Sequence, residues 1–252
     1  MDVFFHWLKN LKDWNISRQI PWGIPVPAFQ NIENPDDWIF DTRVKEEQIE
    51  INGKTYKRDS DTFDTWFSSG QWPFITTKYH DSGELAEFFP NSVMETGHDI
   101  LFQWVARMIM LSIYREESIP FKDVYLHGLV LDPHGQKMSK SKGNVIEPFA
   151  TMEEYGADTV RFYLPYVSPV WTPLRFDING LKEVYSKFFN PLKNTYNFFA
   201  LYANTDDIDI SLCNVDYENL EDTDKWLLSK YHNLLKYVTE SYEEYDLNKV
   251  VK

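Results

Sequence analysis

Apolar residues recur with helical spacing at Phe4, Phe5, Leu8 and Leu11, which predicts an amphipathic helix over residues 2–12. The period then changes. Trp14–Arg18 predicts a short strand. Pro21–Phe29 holds Pro21, Pro25, Pro27 and Gly23 and predicts an extended loop. Alternation on both sides of Asn52–Gly53 predicts a hairpin within a small β ribbon over residues 38–58, because Asn-Gly accepts the left-handed backbone of a two-residue turn. Asp61–Phe74 is rich in aromatic residues and predicts a loop or turn. Ser92–Gly97 predicts a buried strand. Asp99–Tyr114 predicts a strongly apolar helix with Asp99 as its N-cap, and Asp123–Leu131 a second buried strand. Strand, helix and strand in that order make a βαβ unit, which implies a parallel sheet with a right-handed crossover.

After residue 148 the pattern turns helical. Two short helices are predicted, broken near Gly156, and then a long amphipathic helix that starts near Asp177 and kinks at Pro191. Another helix is predicted over residues 222–243, with Trp226, Leu227, Tyr231, Leu234, Leu235 and Val238 along one stripe. The final residues, Asp246–Lys252, read as the first turn of a further helix. An α/β part thus gives way to a helical part near residues 165–178.

Composition narrows the class. A chain of 252 residues with 43% hydrophobic and 17% aromatic residues can bury a sizeable core. Its one cysteine, Cys213, rules out an internal disulfide framework and a Cys-based zinc site, and suits a reducing, cytosolic setting. No apolar run approaches the roughly 20 residues of a membrane span. The start carries no signal-peptide cleavage pattern, so no membrane partner is expected. A net charge of −14 argues against a broad nucleic-acid-binding face. It leaves room for a local phosphate site, because the field at a loop is set by its neighbours.

Such a site is suggested by Gly135–Asn144, GQKMSKSKGN, where lysine is densest in this acidic chain. The loop follows a strand and a hairpin. Its glycines and serines let the backbone approach an anion, and its lysines bring mobile charges with three donors each. Charge on a mobile loop suits negative charge that develops only in a transition state. A solvated basic turn is the alternative. The chain contains neither a G-x-x-x-x-G-K-[ST] string nor a G-x-G-x-x-G string, so neither a P-loop nor an ordinary dinucleotide site is indicated.

Lys137–Ser141, KMSKS, with the extension KGNVIEP, resembles the signature of the class I aminoacyl-tRNA synthetases. WNISRQIPWGIPVP is similar to the W-x-I-S-R-Q-x-x-W-G stretch of the valine, isoleucine and leucine enzymes. TFDTWFSSGQWPF, METGHDILFQWVARMIM and PFKDVYLHGLVLDPHGQKMSKSKGNVIEP resemble the valine enzymes most closely. The resemblance covers nearly the whole chain and is strongest from 61 to 161. It implies valine as the amino acid, with isoleucine as the alternative, because VWTPLRFDINGLKEVYSKFFNPLKNTYNFFALYAN is closer to the isoleucine enzymes.

The resemblance also implies roles. Lys137 and Lys140 would be catalytic and meet the triphosphate of ATP and the departing pyrophosphate, Lys140 above all where charge develops. ATP, with its Mg2+, is the substrate. Ser139 and Ser141 would support the lysines, and Met138 would pack near the adenine. His127 and Gly128 would contact the adenine, and Gly97 and Asp99 would hold the ribose. Trp104 would wall the amino-acid pocket, and an aliphatic pocket of that kind cannot strongly reject a near-isostere. Trp66, Ser68 and Ser69 would support the site, and Arg18 and Gln19 would approach the acceptor end of tRNA. Each has a structural reading beside it: Asp99 as a cap, His127 as a satisfied core histidine, Trp104 as core packing.

The implied fold class is α/β, the C-terminal half of a Rossmann-like parallel-sheet catalytic domain over residues 1–170. It includes a small β connector at 31–60. The start of an α-helical anticodon-binding domain follows over 171–252. The family's His-x-Gly-His motif does not occur among the six histidines, and no editing domain is recognisable. The chain is therefore expected to be part of a longer synthetase that needs its N-terminal part. Alone it should be inactive, with an exposed strand edge where the first strands are missing. Its expected partners are ATP, valine, a valine-type tRNA and that N-terminal part. A non-catalytic tRNA-binding or interaction piece derived from such an enzyme is the alternative.

Overall fold

The computed structural model of the chain describes residues 2–78, 83–214 and 216–252. It divides into two compact units, one ending at Tyr125 and one starting at Leu126.

The first unit opens with α1 (Asp2–Lys9), whose Trp7 ring stacks on Phe102 at 5.0 Å. β1 (Ser17–Arg18) pairs antiparallel with β6 (Thr62–Phe63). Between them, β2 (Ala28–Asn31), β3 (Trp38–Phe40), β4 (Gln48–Ile51) and β5 (Lys54–Arg58) form an antiparallel sheet in the order β3-β2-β5-β4. The β4–β5 hairpin turns at Asn52 and Gly53, with φ of 52° and 74°, the left-handed pair that Asn-Gly tolerates. Phe29 is fully buried in this sheet and Tyr56 nearly so.

Asp61–Phe74 is more regular than its aromatic content suggests. After β6 it forms α2 (Thr65–Ser69), and α3 (Trp72–Thr77) follows. Asp64 caps α2 by accepting from the Trp66 N–H, and Pro73 sits in the first turn of α3, where its missing N–H costs nothing.

β7 (Asn91–Gly97) pairs with β8 (Phe121–His127), and α4 (Ala106–Glu116) lies between them in sequence. The strands are less buried than their composition predicts. Met94, Thr96 and Gly97 are buried in β7, but Val93 is exposed. In β8 Phe121 is buried, whereas Lys122, Asp123 and Val124 are exposed. The strands pack on the α4 side through a core of Met94, Val105, Met108 and Phe121, while the three consecutive residues 122–124 of β8 stay exposed. The helical stretch does not start with an Asp99 cap. His98–Ile100 is a 3-10 turn with Gly97 in the cap position, and Leu101–Val105 is a π-turn that runs into α4. Asp99 lies inside the first turn.

In the second unit β9 (Val130–Leu131) runs parallel to β10 (Leu174–Arg175). α5 (Pro148–Tyr155) and α6 (Ala157–Val167) are separated by Gly156 at φ 88°. Asp177 caps α7 (Ile178–Val184), whose line continues through a π-turn, Tyr185–Phe189, into α8 (Asn190–Thr205). The expected irregularity at Pro191 is this π-turn, placed so that the proline falls in the first turn of α8. α9 (Asp222–Glu243) starts with a capping box between Glu221 and Asp224, and α10 (Leu247–Val250) is capped by Asp246. The unit's core holds Val160, Tyr163, Leu174, Phe176, Leu181 and Val184. Burying one such large side chain contributes about 1.5–3 kcal/mol. Among the described residues no helix is long and apolar enough to cross a membrane.

Candidate active site

The lysine loop grows out of a tight turn. Asp-Pro-His-Gly at 132–135 is the composition that a type I turn prefers, and the Gly135 N–H donates to the Asp132 carbonyl at 2.9 Å. Gly135 then takes φ 79°, and Leu131 and Lys137 face each other in an antiparallel bridge. The chain runs extended through Ser139 (φ −153°, ψ 147°), closes a 3-10 turn at Lys140–Lys142, and leaves through Gly143 at φ 67°. Lys137, Lys140, Ser141 and Lys142 are exposed, whereas Met138 is half-buried against the unit's core. The Ser139 and Ser141 hydroxyls lie 3.2 Å apart.

Two residues outside the KMSKS pentapeptide brace the loop. Asp132, 5% exposed, accepts from the His134 N–H (3.0 Å), the Gln136 N–H (2.7 Å) and the Asn144 side-chain amide (2.9 Å). The Asn144 amide and the Gln136 N–H, with a lesser part from His134, outweigh burial and hold the Asp132 carboxyl below the usual carboxylate range. Asn144 in turn accepts from the Ser139 N–H at 3.0 Å and lies 3.4 Å from the Lys137 carbonyl. Sequence reasoning missed both residues. An Asx-type turn start and an asparagine just after the loop's second glycine were the available signals.

His127 and Gly128 lie at the end of β8. A His127 ring nitrogen is 2.8 Å from the Gly128 carbonyl. Gly128 is buried, and its N–H donates to the Val170 carbonyl at 2.8 Å. A Cβ at Gly128 would sit 2.2 Å from the Thr172 carbonyl group, so close backbone approach already requires glycine here. A hollow of about 810 Å3 in this unit is lined by Pro133 of that turn, Tyr163, Arg175 and Glu183 among others, and none of the loop lysines lines it.

In the first unit Trp104 stands in the π-turn before α4, packed beside the Met108 core, and its indole N–H donates to the Ser69 carbonyl at 3.0 Å. With that N–H satisfied, the ring has only apolar surface left to offer. Two expected site residues are thereby brought together. Ser69 is also bonded to the Thr65 carbonyl through its hydroxyl, and the Ser68 carbonyl accepts from Gln71. Trp66 gives its backbone N–H to Asp64. Gly97 is buried, and Asp99 is exposed in the 3-10 turn.

Arg18 and Gln19 are engaged internally. Arg18 pairs with Asp64 at 2.5 Å, and Gln19 donates to Asp61 at 2.6 Å. Asp64 also accepts from the Trp14 indole at 2.8 Å and lies 3.8 Å from Arg107, whose guanidinium stacks over the Trp14 ring. Burial pushes the Asp64 carboxyl up. The Trp66 N–H, the Trp14 indole, Arg18 and Arg107 together reverse this and leave it below the usual range. Asp64 is thus a hub within a stretch that the sequence presents only as a loop or turn.

The comparisons agree with these motifs. The family model described as tRNA synthetases class I (I, L, M and V) matches residues 1–177, and the anticodon-binding domain of tRNA ligase matches residues 224–252. A valine–tRNA ligase of Desulfotalea psychrophila is 37% identical over 250 residues, covering 99% of this chain and 28% of its own length. An isoleucine–tRNA ligase of Cytophaga hutchinsonii is 33% identical, covering 98% of this chain and 25% of its own. The chain therefore spans about a quarter of the length of these relatives. Among solved structures, the agnB2 LeuRS of Agrobacterium radiobacter K84, in a ternary complex with tRNA and LeuAMS, superposes with a TM-score of 0.75 at 21% identity. That match covers 99% of this chain and 37% of the other and extends the likeness to the fold.

Proposed function

Because the chain belongs to the class I aminoacyl-tRNA synthetase family, we propose that it provides the pyrophosphate side of amino-acid activation in the ATP-dependent attachment of valine to its tRNA. ATP arrives with its Mg2+ as substrate. When the valine carboxylate attacks the α-phosphorus, the bond to the pyrophosphate oxygen breaks and negative charge accumulates on the leaving group. Lys137 and Lys140 meet that charge, Lys140 where it develops most, with Ser139 and Ser141 in support. Met138, His127 and Gly128 serve the adenine side, and Gly97 and Asp99 the ribose. The apolar face of Trp104 serves the valine side chain, with Trp66, Ser68 and Ser69 behind it. The helical region from about 171 begins the part that approaches tRNA, and the setting is the cytoplasm.

The observation that carries this reading is the lysine loop itself: a braced turn that keeps Met138 inward and its lysines exposed. Isoleucine is the second reading, favoured by the isoleucine relative at 33% identity. The test is calorimetric titration of the chain with inorganic tripolyphosphate. Saturable binding is expected, lowered about tenfold or more in Lys140→Ala, since a hydrogen bond to a charged group contributes about 1.5–3 kcal/mol. Equal binding by the wild type and Lys140→Ala would remove the basis of the proposal.

A further inference from the structure

The bracing of the lysine loop goes beyond what a surface turn needs. The loop leaves the Leu131–Lys137 bridge and returns at Asn144. There the Asn144 side chain reaches the two peptide groups that flank Met138: the Ser139 N–H at 3.0 Å and the Lys137 carbonyl at 3.4 Å. Met138 is packed against the core, and the backbone at Ser139 is extended. In extended backbone successive side chains point to opposite sides, so fixing Met138 inward turns Lys137 outward. Gly143, at φ 67°, then closes the short turn that begins with Lys140. Asn144 is itself held. Its amide donates to one oxygen of Asp132 at 2.9 Å, and the other oxygen of Asp132 is engaged by the His134 and Gln136 N–H groups. The chain of contacts Gln136–Asp132–Asn144–Ser139 spans the base of the loop without entering the Tyr163 core.

We propose that Asp132 and Asn144 are positioning residues for the triphosphate: their contact across the loop's base orders the backbone of residues 137–139 and so presents Lys137 and Lys140 to the anion. This rests on the reading of the loop as a triphosphate site. Ordering the lysines before binding lowers the conformational entropy lost on binding, which raises affinity without a new contact. The idea makes a prediction opposite to simple electrostatics. Asp132→Asn removes a negative charge beside the lysines, and charge alone would make an anion bind more tightly. If the brace matters, binding weakens, because an amide at 132 has one acceptor oxygen, which can serve either the Asn144 amide or the His134 and Gln136 N–H groups but not both.

The experiment titrates the full chain and its variants with inorganic tripolyphosphate. It also follows trypsin cleavage after Lys137, Lys140 and Lys142 and records each Tm. Asp132→Asn is expected to bind about tenfold more weakly and to be cut faster at the loop, while remaining folded at the assay temperature. The reversed pair, Asp132→Asn with Asn144→Asp, restores an amide–carboxylate bridge and an acceptor for Ser139 at unchanged net charge. It should recover most of the affinity. Asp132→Asn binding as tightly as the wild type or more so, or a reversed pair no better than Asp132→Asn, overturns the inference while leaving the triphosphate reading standing. If Asp132→Asn does not fold, Asn144→Ala replaces it with the same two outcomes. A wild type that binds no tripolyphosphate removes the triphosphate reading, and the positioning role with it.

Discussion

Gly128→Ala should be among the most damaging single-methyl changes in this chain. The added Cβ would lie 2.2 Å from the Thr172 carbonyl carbon and oxygen and 2.6 Å from the Pro173 nitrogen. These are backbone atoms, so no side chain can swing away. Segment 170–173 would have to shift by roughly an ångström to reach ordinary contact distance. That segment is held at both ends, by the Gly128 N–H to the Val170 carbonyl (2.8 Å) and the Leu174 N–H to the Leu129 carbonyl (2.9 Å). Losing or straining these bonds costs about 1 kcal/mol each. Overpacking in a tight site adds about 1–3 kcal/mol. Leu174 and Phe176, 6% and 5% exposed, follow immediately in the core, so the shift cannot dissipate into solvent. A total near 3–5 kcal/mol corresponds to a Tm lowered by on the order of 10 °C for a unit of this size. Thermal melting followed by circular dichroism measures it. A Gly128→Ala chain that melts within about 2 °C of the wild type refutes the steric argument. An unchanged Tm with lost nucleotide binding would instead make Gly128 purely a ligand contact.

Other consequences follow from the Asp64 hub and the hairpin. The folded pKa of Asp64 is depressed, so its stabilisation is fully present above the unfolded value of 3.8 and is lost as pH falls through the lower folded value. The Tm gap between the wild type and Asp64→Asn should therefore be constant from about pH 7 to 5 and narrow as the pH falls below about 4; a gap that widens as the pH falls contradicts this. At Gly53 nothing lies within 4 Å of an added Cβ, and the only cost is φ 74°. Gly53→Ala should destabilise by about 1 kcal/mol, measured by urea unfolding, and a loss above about 3 kcal/mol would point to a contact that the hairpin does not contain.

What could be read from the sequence was local. The Asn52–Gly53 hairpin, the break at Gly156 and the span of α9 each depend on residues within a turn or two of one another. The lysine loop was legible because its chemistry sits in adjacent residues. The aromatic stretch Asp61–Phe74 read as a loop because Trp66, Phe67, Trp72 and Phe74 mask two short helices whose caps are single residues. Burial of β7 and β8 was overestimated because apolar content does not reveal how much of each strand the rest of the unit leaves uncovered. Asp99 looked like a cap, yet a 3-10 turn followed by a π-turn moves that position to Gly97. The hubs were invisible for a different reason. Asp64 meets Trp14 across 50 residues, and Asp132 meets Asn144 across 12. Only the folded chain closes such distances.

The central claim is that the lysines of the Gly135–Asn144 loop meet the phosphates of ATP. Its most direct measurement uses an ATP analogue that carries a lysine-reactive aldehyde on its terminal phosphate, followed by reduction and peptide mapping. Modification is expected to concentrate on Lys137 and Lys140 and to be suppressed by unmodified ATP. Label spread over lysines elsewhere in the chain, or label on the loop that excess ATP does not displace, would contradict it.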